Sequence, residues 1–200
     1  DGTLRDPSNK VYKPANGETL LPGFYPNGIA VGGSINVNFA PGIYVIGGNN
    51  NSGGLTIGGA ANTCARRVMF YIKGGKVTVT GGSGSTTITE INSSAPGNDC
   101  TGNPVTYPAT QNVAPYEGMA IFQSRTNNLP ANISGGSEVD VRGSIYFPNN
   151  PLDLGGTPSS LGIQVITYTL TIHGTGTADK LIINYDGRNR TPANSSYLVQ

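Results

Sequence analysis

Glu138, Asp140 and Arg142 alternate along one short stretch, so an extended backbone sets all three on one face, about 7 Å apart per step. Two carboxylates so arranged could act as acid and base on a glycan. The plainer reading is a solvated strand face with an internal ion pair worth under about 1 kcal/mol. Nothing else in the sequence converges on that face, and the plainer reading is preferred. His173 is the sole histidine. A Ser-His-Asp arrangement would have to use it, yet no nucleophile elbow accompanies it, and alternation puts Ile172 inward and His173 on the other face. It reads as a surface or corner residue.

Cys64 and Cys100 are the only cysteines. Paired, they close a loop of about 37 residues, worth roughly 3–4 kcal/mol in the chain-entropy model, and point to an oxidising compartment. Two free core thiols are the rival reading. A metal site is a poor fit, because two isolated cysteines and one distant histidine lack ligand spacing. Asn98-Asp99 and Asn184 to Gly187 offer oxygen ligands but match no calcium-loop spacing. No cofactor motif is expected: Gly81-Gly82-Ser83-Gly84-Ser85 precedes no predicted helix and reads as a corner between strands rather than a phosphate cradle. Asn-x-Ser/Thr triplets at Asn50, Asn92, Asn132, Asn189 and Asn194 are no more than an Asn- and Ser-rich chain provides by chance.

The elements that must position these residues announce themselves through a repeat. Short alternating apolar stretches run into glycine pairs at Ile29–Gly33, Tyr44–Gly48, Leu55–Gly59, Tyr71–Gly75, Val77–Gly82, Ile133–Gly136 and Leu152–Gly156, with a looser copy at Leu170–Gly174. Alternation buries one face of a strand, and glycine lets the chain turn a tight corner. A strand and a corner every ~15–20 residues predicts coils stacked into a β-solenoid, since one such coil cannot bury its apolar face alone. The expected fold is an all-β, single-domain, parallel β-helix-like solenoid with Gly-Gly corners and one long disulfide-pinned loop.

Residues 1–28, punctuated by Pro7, Pro14, Pro22 and Pro26, are expected to be an extended lead-in or cap. The solenoid is expected over 29–186, with a long insertion at 92–115, a last strong strand at Lys180 to Tyr185, and a polar tail at 187–200. Thr78 and Thr80 share a face, as do Thr167, Thr169 and Thr171; ranks of threonine can match an ice lattice, but the equivalent positions Thr56, Lys73 and Asp153 vary. Threonine also simply favours exposed strand positions.

Charged residues make up only 12% of the 200, with net charge +1, 30 glycines and 14 prolines. The electrostatic footprint of nucleic-acid binding is absent, and regular Val/Ile/Tyr/Phe strands exclude a disordered chain. No run approaches 18 apolar residues, so no membrane span or signal peptide is expected; a targeting or anchoring segment is expected to have been removed, leaving Asp1 as a processed start.

Three blocks, Pro115–Arg125, Gly143–Asn149 and Gln164–Gly176, together with Pro41-Gly42-Ile43-Tyr44, resemble the C-terminal domain of bacterial Tad/Flp pilus-assembly-associated TadE/TadG-like and PilX-like proteins. The resemblance covers roughly residues 20–186. It lacks the N-terminal anchoring helix of that family and adds the cysteine-bearing insertion. It implies a surface-exposed domain of a pilus or envelope appendage and supplies no catalytic residues. The expected function is therefore extracellular, structural or adhesive, with self-association or other appendage subunits as partners and surface or glycan contacts. A carbohydrate-active enzyme using Glu138 and Asp140, and an ice-binding protein, are the alternatives.

Overall fold

The computed structural model describes residues 3–49, 52–135, 139–156, 160–161 and 164–173. The expected strand Lys180 to Tyr185 and the tail 187–200 lie outside these. The fold is an all-β solenoid of about six coils. Coil one contains β1 (Glu18–Leu20), β2 (Gly23–Tyr25) and β3 (Ile29–Val31). Coil two contains β4 (Asn36–Phe39), β5 (Gly42–Ile46), the two-residue β6 (Gly48–Asn49) and β7 (Ser52–Ile57). Coil three holds β8 (Asn62–Ala65), β9 (Val68–Ile72) and β10 (Lys76–Thr80). Coil four holds β11 (Thr86–Ile88), β12 (Met119–Gln123) and β13 (Ala131–Gly135). Coil five has β14 (Val139–Val141) and the long β15 (Ser144–Gly156); coil six has β16 (Ser160–Leu161) and β17 (Gln164–His173).

Three faces result. The first is β1-β4-β8-β11-β14-β16. The second runs β2-β5-β9-β12 into the front of β15 and β17, and the third runs β3-β7-β10-β13 into their rear. Every strand pairing between coils among the described residues is parallel, while β6 folds back antiparallel onto β7. A coil takes roughly twenty residues, as the pairings Glu18↔Val37 and Thr63↔Thr86 show. The expected period is thus close, but one coil holds three strands, not one. The glycine pairs mark two different corners: Gly32-Gly33 and Gly58-Gly59 follow the third face, whereas Gly47-Gly48 and Gly74-Gly75 follow the second.

Alternation becomes a core because register stacks like on like. Ile29, Leu55, Val77, Ala131 and Leu152 form one inward row, and Val31, Ile57, Val79, Ile133 and Leu154 the next, all buried. Each large aliphatic side chain so buried contributes about 1.5–3 kcal/mol. Where the first two faces meet, Phe39, Tyr44 and Phe70 pack at centroid distances of 5.2–5.6 Å. The buried Tyr44 hydroxyl is satisfied by the carbonyls of Leu20 and Ala40, both at 2.8 Å.

Glycine is required at the corner after the second face. Gly54 and Gly75 adopt φ of +88° and +82°, and a Cβ on Gly54 would lie 2.0 Å from the Lys76 carbonyl oxygen. Backbones of successive coils touch there. In later coils, buried amides take over this corner. Asn150 Nδ2 donates to Gln123 Oε1 and to the Asn127 carbonyl, both at 2.6 Å, while Asn127 Nδ2 donates to the Gly75 carbonyl at 2.9 Å.

The ends differ. The first coil already begins at Glu18, inside the stretch expected to be a lead-in. Residues 3–17 lie along the exposed edge of that coil: Leu4 bridges Phe24, Tyr12 bridges Ile29, and the Tyr12 ring meets that of Tyr25 at 5.5 Å. At the other end Leu170 and Ile172 continue the buried rows of Leu152 and Leu154 but are 42% and 53% exposed. Ile172 does belong to an inward row, yet no described coil covers it.

Candidate functional site

Asp140 lies on β14, in an outward row with Asn38, Cys64 and Thr87. Arg142 turns back onto it: Nη2 stands 2.8 Å from Oδ2, and Nε donates to the same oxygen at 3.0 Å. That hydrogen bond and the charge of Asp140 raise the arginine's pKa, with Glu90 adding to the effect. The pair is a local ion pair on an outer strand face, with Arg142 largely in water. Glu138 lies outside the described residues.

His173 faces Asp153 of the neighbouring coil, Nδ1 to Oδ1 at 3.1 Å. A Cβ on Gly155 would lie 3.1 Å from His173 Nε2 and 3.2 Å from Ser134 Cβ, so the ring and the serine flank one glycine gap. Serine, histidine and aspartate from three coils thus come together, a juxtaposition the sequence spacing conceals. The histidine side chain is 58% exposed, and solvent screens such a contact. Among the described residues no three His, Cys, Asp or Glu side chains gather into a metal site.

The threonines do not form a rank. Thr56 and Thr78 are in register on the third face, but the positions that follow are Asn132 and Asp153. Thr167, Thr169 and Thr171 do not share a face as the alternation implied. The register shifts between Phe147 and Pro151 where β17 rounds the corner, so Thr167 pairs with inward Phe147 while Thr171 pairs with outward Asp153.

The insertion 92–115 is the most elaborated part of the surface. Cys64 and Cys100 are disulfide-bonded across a Cα–Cα distance of 5.8 Å, so the free-thiol alternative does not hold. Two further anchors escaped the sequence reading. Arg67, at φ +61°, donates to the carbonyls of Asn92 and Pro96 at 3.2 Å. Left-handed backbone disfavours a side chain, and the corner keeps arginine because its guanidinium reaches the loop. Gln111 imitates a neighbouring strand: its Oε1 accepts the Ile43 N–H at 2.8 Å and its Nε2 donates to the Ile43 carbonyl at 3.0 Å. Beneath the loop lies a second apolar cluster, Met69, Ile91 and Val113, bordered by Tyr71, Tyr107 and Phe122. At the tip, slight burial of Asp99 is outweighed by hydrogen bonds from Thr101, Gly102 and Asn103, which hold its carboxyl below the usual value.

Beside the loop, the second face presents outward Phe24, Val45, Tyr71, Phe122, Tyr146 and Ile166, one per coil and in register. Each falls in the outward phase of an alternating strand; the row emerges only once the coils are aligned. No known protein family, curated protein or solved structure matches the chain.

Proposed function

We propose that the protein is an extracellular structural or adhesive β-solenoid, a subunit or decoration of a bacterial surface appendage such as a pilus or filament. The observation that carries this reading is the stapled rod: stacked parallel coils around a continuous dry core, with the long insertion tied down by a disulfide, a guanidinium and an amide. Backbone ladders of this kind resist proteolysis and load, because local opening must break several coils' bonds together. The disulfide fits an oxidising compartment, no helix among the described residues is long and apolar enough to cross a membrane, and the resemblance to Tad/Flp-associated domains supports an appendage. Immunogold labelling of intact cells with antibody to the native protein tests it. Label along surface appendages is the expected result; label confined to the interior of opened cells overturns it.

A further inference from the structure

The outward row on the second face has a wall on one side and a lip on the other. The wall is the pinned loop, whose satellite cluster touches Tyr71 and Phe122. At the lip, Lys73 and Arg125 stand exposed. A concavity of about 390 Å³ opens beside Lys73, lined by Gly48, Gly75 and Asn127, and Gly48 also borders an adjoining one of about 520 Å³ that contains Lys10 and Lys13.

Along the rod, Phe122 stacks on Tyr146 at 4.7 Å and 15°, and Tyr71 meets Phe122 tilted, at 5.6 Å and 42°. Where Phe122 and Tyr146 stack face to face, their edges, the positive ends of the aromatic quadrupole, are the parts left to meet a ligand. Arg125 reinforces this by donating to the Tyr146 hydroxyl at 3.1 Å, and Lys73 Nζ stands 5.5 Å from the Phe24 ring centre. None of Lys10, Lys13, Lys73 and Arg125 is in an ion pair among the described residues. Glu90 and Glu117 act instead on the loop side, around Tyr107, where Glu117 also holds Ser93. Floor and lip are both suited to anions.

Spacing narrows the class. Successive coils, and so successive row residues, are about 4.8 Å apart. An extended peptide returns its same-face side chains only about every 6.6 Å, a step that no single coil matches. An extended pyranose chain advances about one coil per sugar. We propose that this shelf binds an extended anionic polysaccharide of the uronic-acid kind, its sugar rings along Tyr71, Phe122 and Tyr146 and its carboxylates toward Lys73 and Arg125. This rests on the adhesive reading above and names its ligand class.

The test is native affinity electrophoresis of the full chain in gels containing polygalacturonate, neutral dextran or polyglutamate. Retardation by polygalacturonate, with little or none by dextran and polyglutamate, is expected. The double variant Lys73→Gln, Arg125→Gln is expected to weaken the polygalacturonate affinity by about tenfold or more, with its unfolding midpoint kept. Unchanged mobility in polygalacturonate, equal retardation by polyglutamate, or a folded double variant that binds as the wild type would each overturn the proposal. Immunogold labelling is independent of these gels: labelled appendages with no retardation sink only the shelf, and retardation without labelled appendages sinks only the appendage.

Discussion

Two glycines separate conformational need from mere abundance. Gly54 combines a positive φ with a backbone contact that leaves no room for a Cβ, whereas nothing lies within 4 Å of the Cβ position of Gly32. Gly54→Ala is expected to cost at least about 2–3 kcal/mol, and Gly32→Ala to be neutral or stabilising by up to about 1 kcal/mol; denaturant midpoints check both. The tyrosines give a pH signature. The hydrogen bond to Glu18 pushes Tyr12 up to about 12, and burial raises Tyr25 and Tyr44 above the ordinary tyrosine value of about 10. The folded chain therefore holds these protons more tightly than the unfolded one. Their contribution is complete below pH 10 and is lost as pH rises through 10 toward the folded values. Thermal midpoints that fall above pH 10, together with tyrosinate absorbance appearing late, are the expected result. Asp140 and Arg142 were legible at this scale, because residues two apart on a strand need only local geometry to meet. Arg67 and Gln111 were not, since each acts on a segment far along the chain.

At the scale of elements, the insertion is held by anchors of different kinds. Replacing both cysteines by serine is expected to cost about 3 kcal/mol, and to raise hydrogen exchange around residues 97–105 while the β10 amides stay protected. Arg67→Gly relieves the left-handed backbone and frees the loop, so global stability should change little while exchange at 92–97 rises. Equal protection of the loop in both variants would show that Gln111 and the apolar cluster suffice. The strands themselves were readable from alternation, but their grouping into threes was not. Glycine pairs mark the corner after the third face and, in coils two and three only, the corner after the second; the remaining corner is built from Pro41-Gly42, from Arg67 or from Arg142-Gly143, with no common residue. In coil four the second corner holds a buried amide network in place of glycines, which no local pattern announces. The outward row stayed hidden for the same reason: its members lie a whole coil apart in sequence and align only when register is known.

For the whole molecule, the two ends are chemically different. Residues 3–17 bridge both β2 and β3 of the first coil, whereas Leu170 and Ile172 of the last described coil carry exposed apolar surface in inward rows. A head-to-tail fibre needs two complementary ends, one donating its edge to the other. Here the first edge is partly occupied by its own chain at β2 and β3, so lengthwise joining through that edge is expected to require residues 3–17 to move aside. Two like ends meeting close a two-fold pair, and growth stops at two. Light scattering is expected to give the mass of one chain or of two, and deletion of residues 3–17 to release longer series; a wild-type ladder of higher multiples would refute this. The clasp of residues 3–17 is thus expected to act as a brake on lengthwise growth. Within an appendage it suits the protein to be a tip or an ornament, and any role as the repeating unit would first require a partner to peel that clasp away.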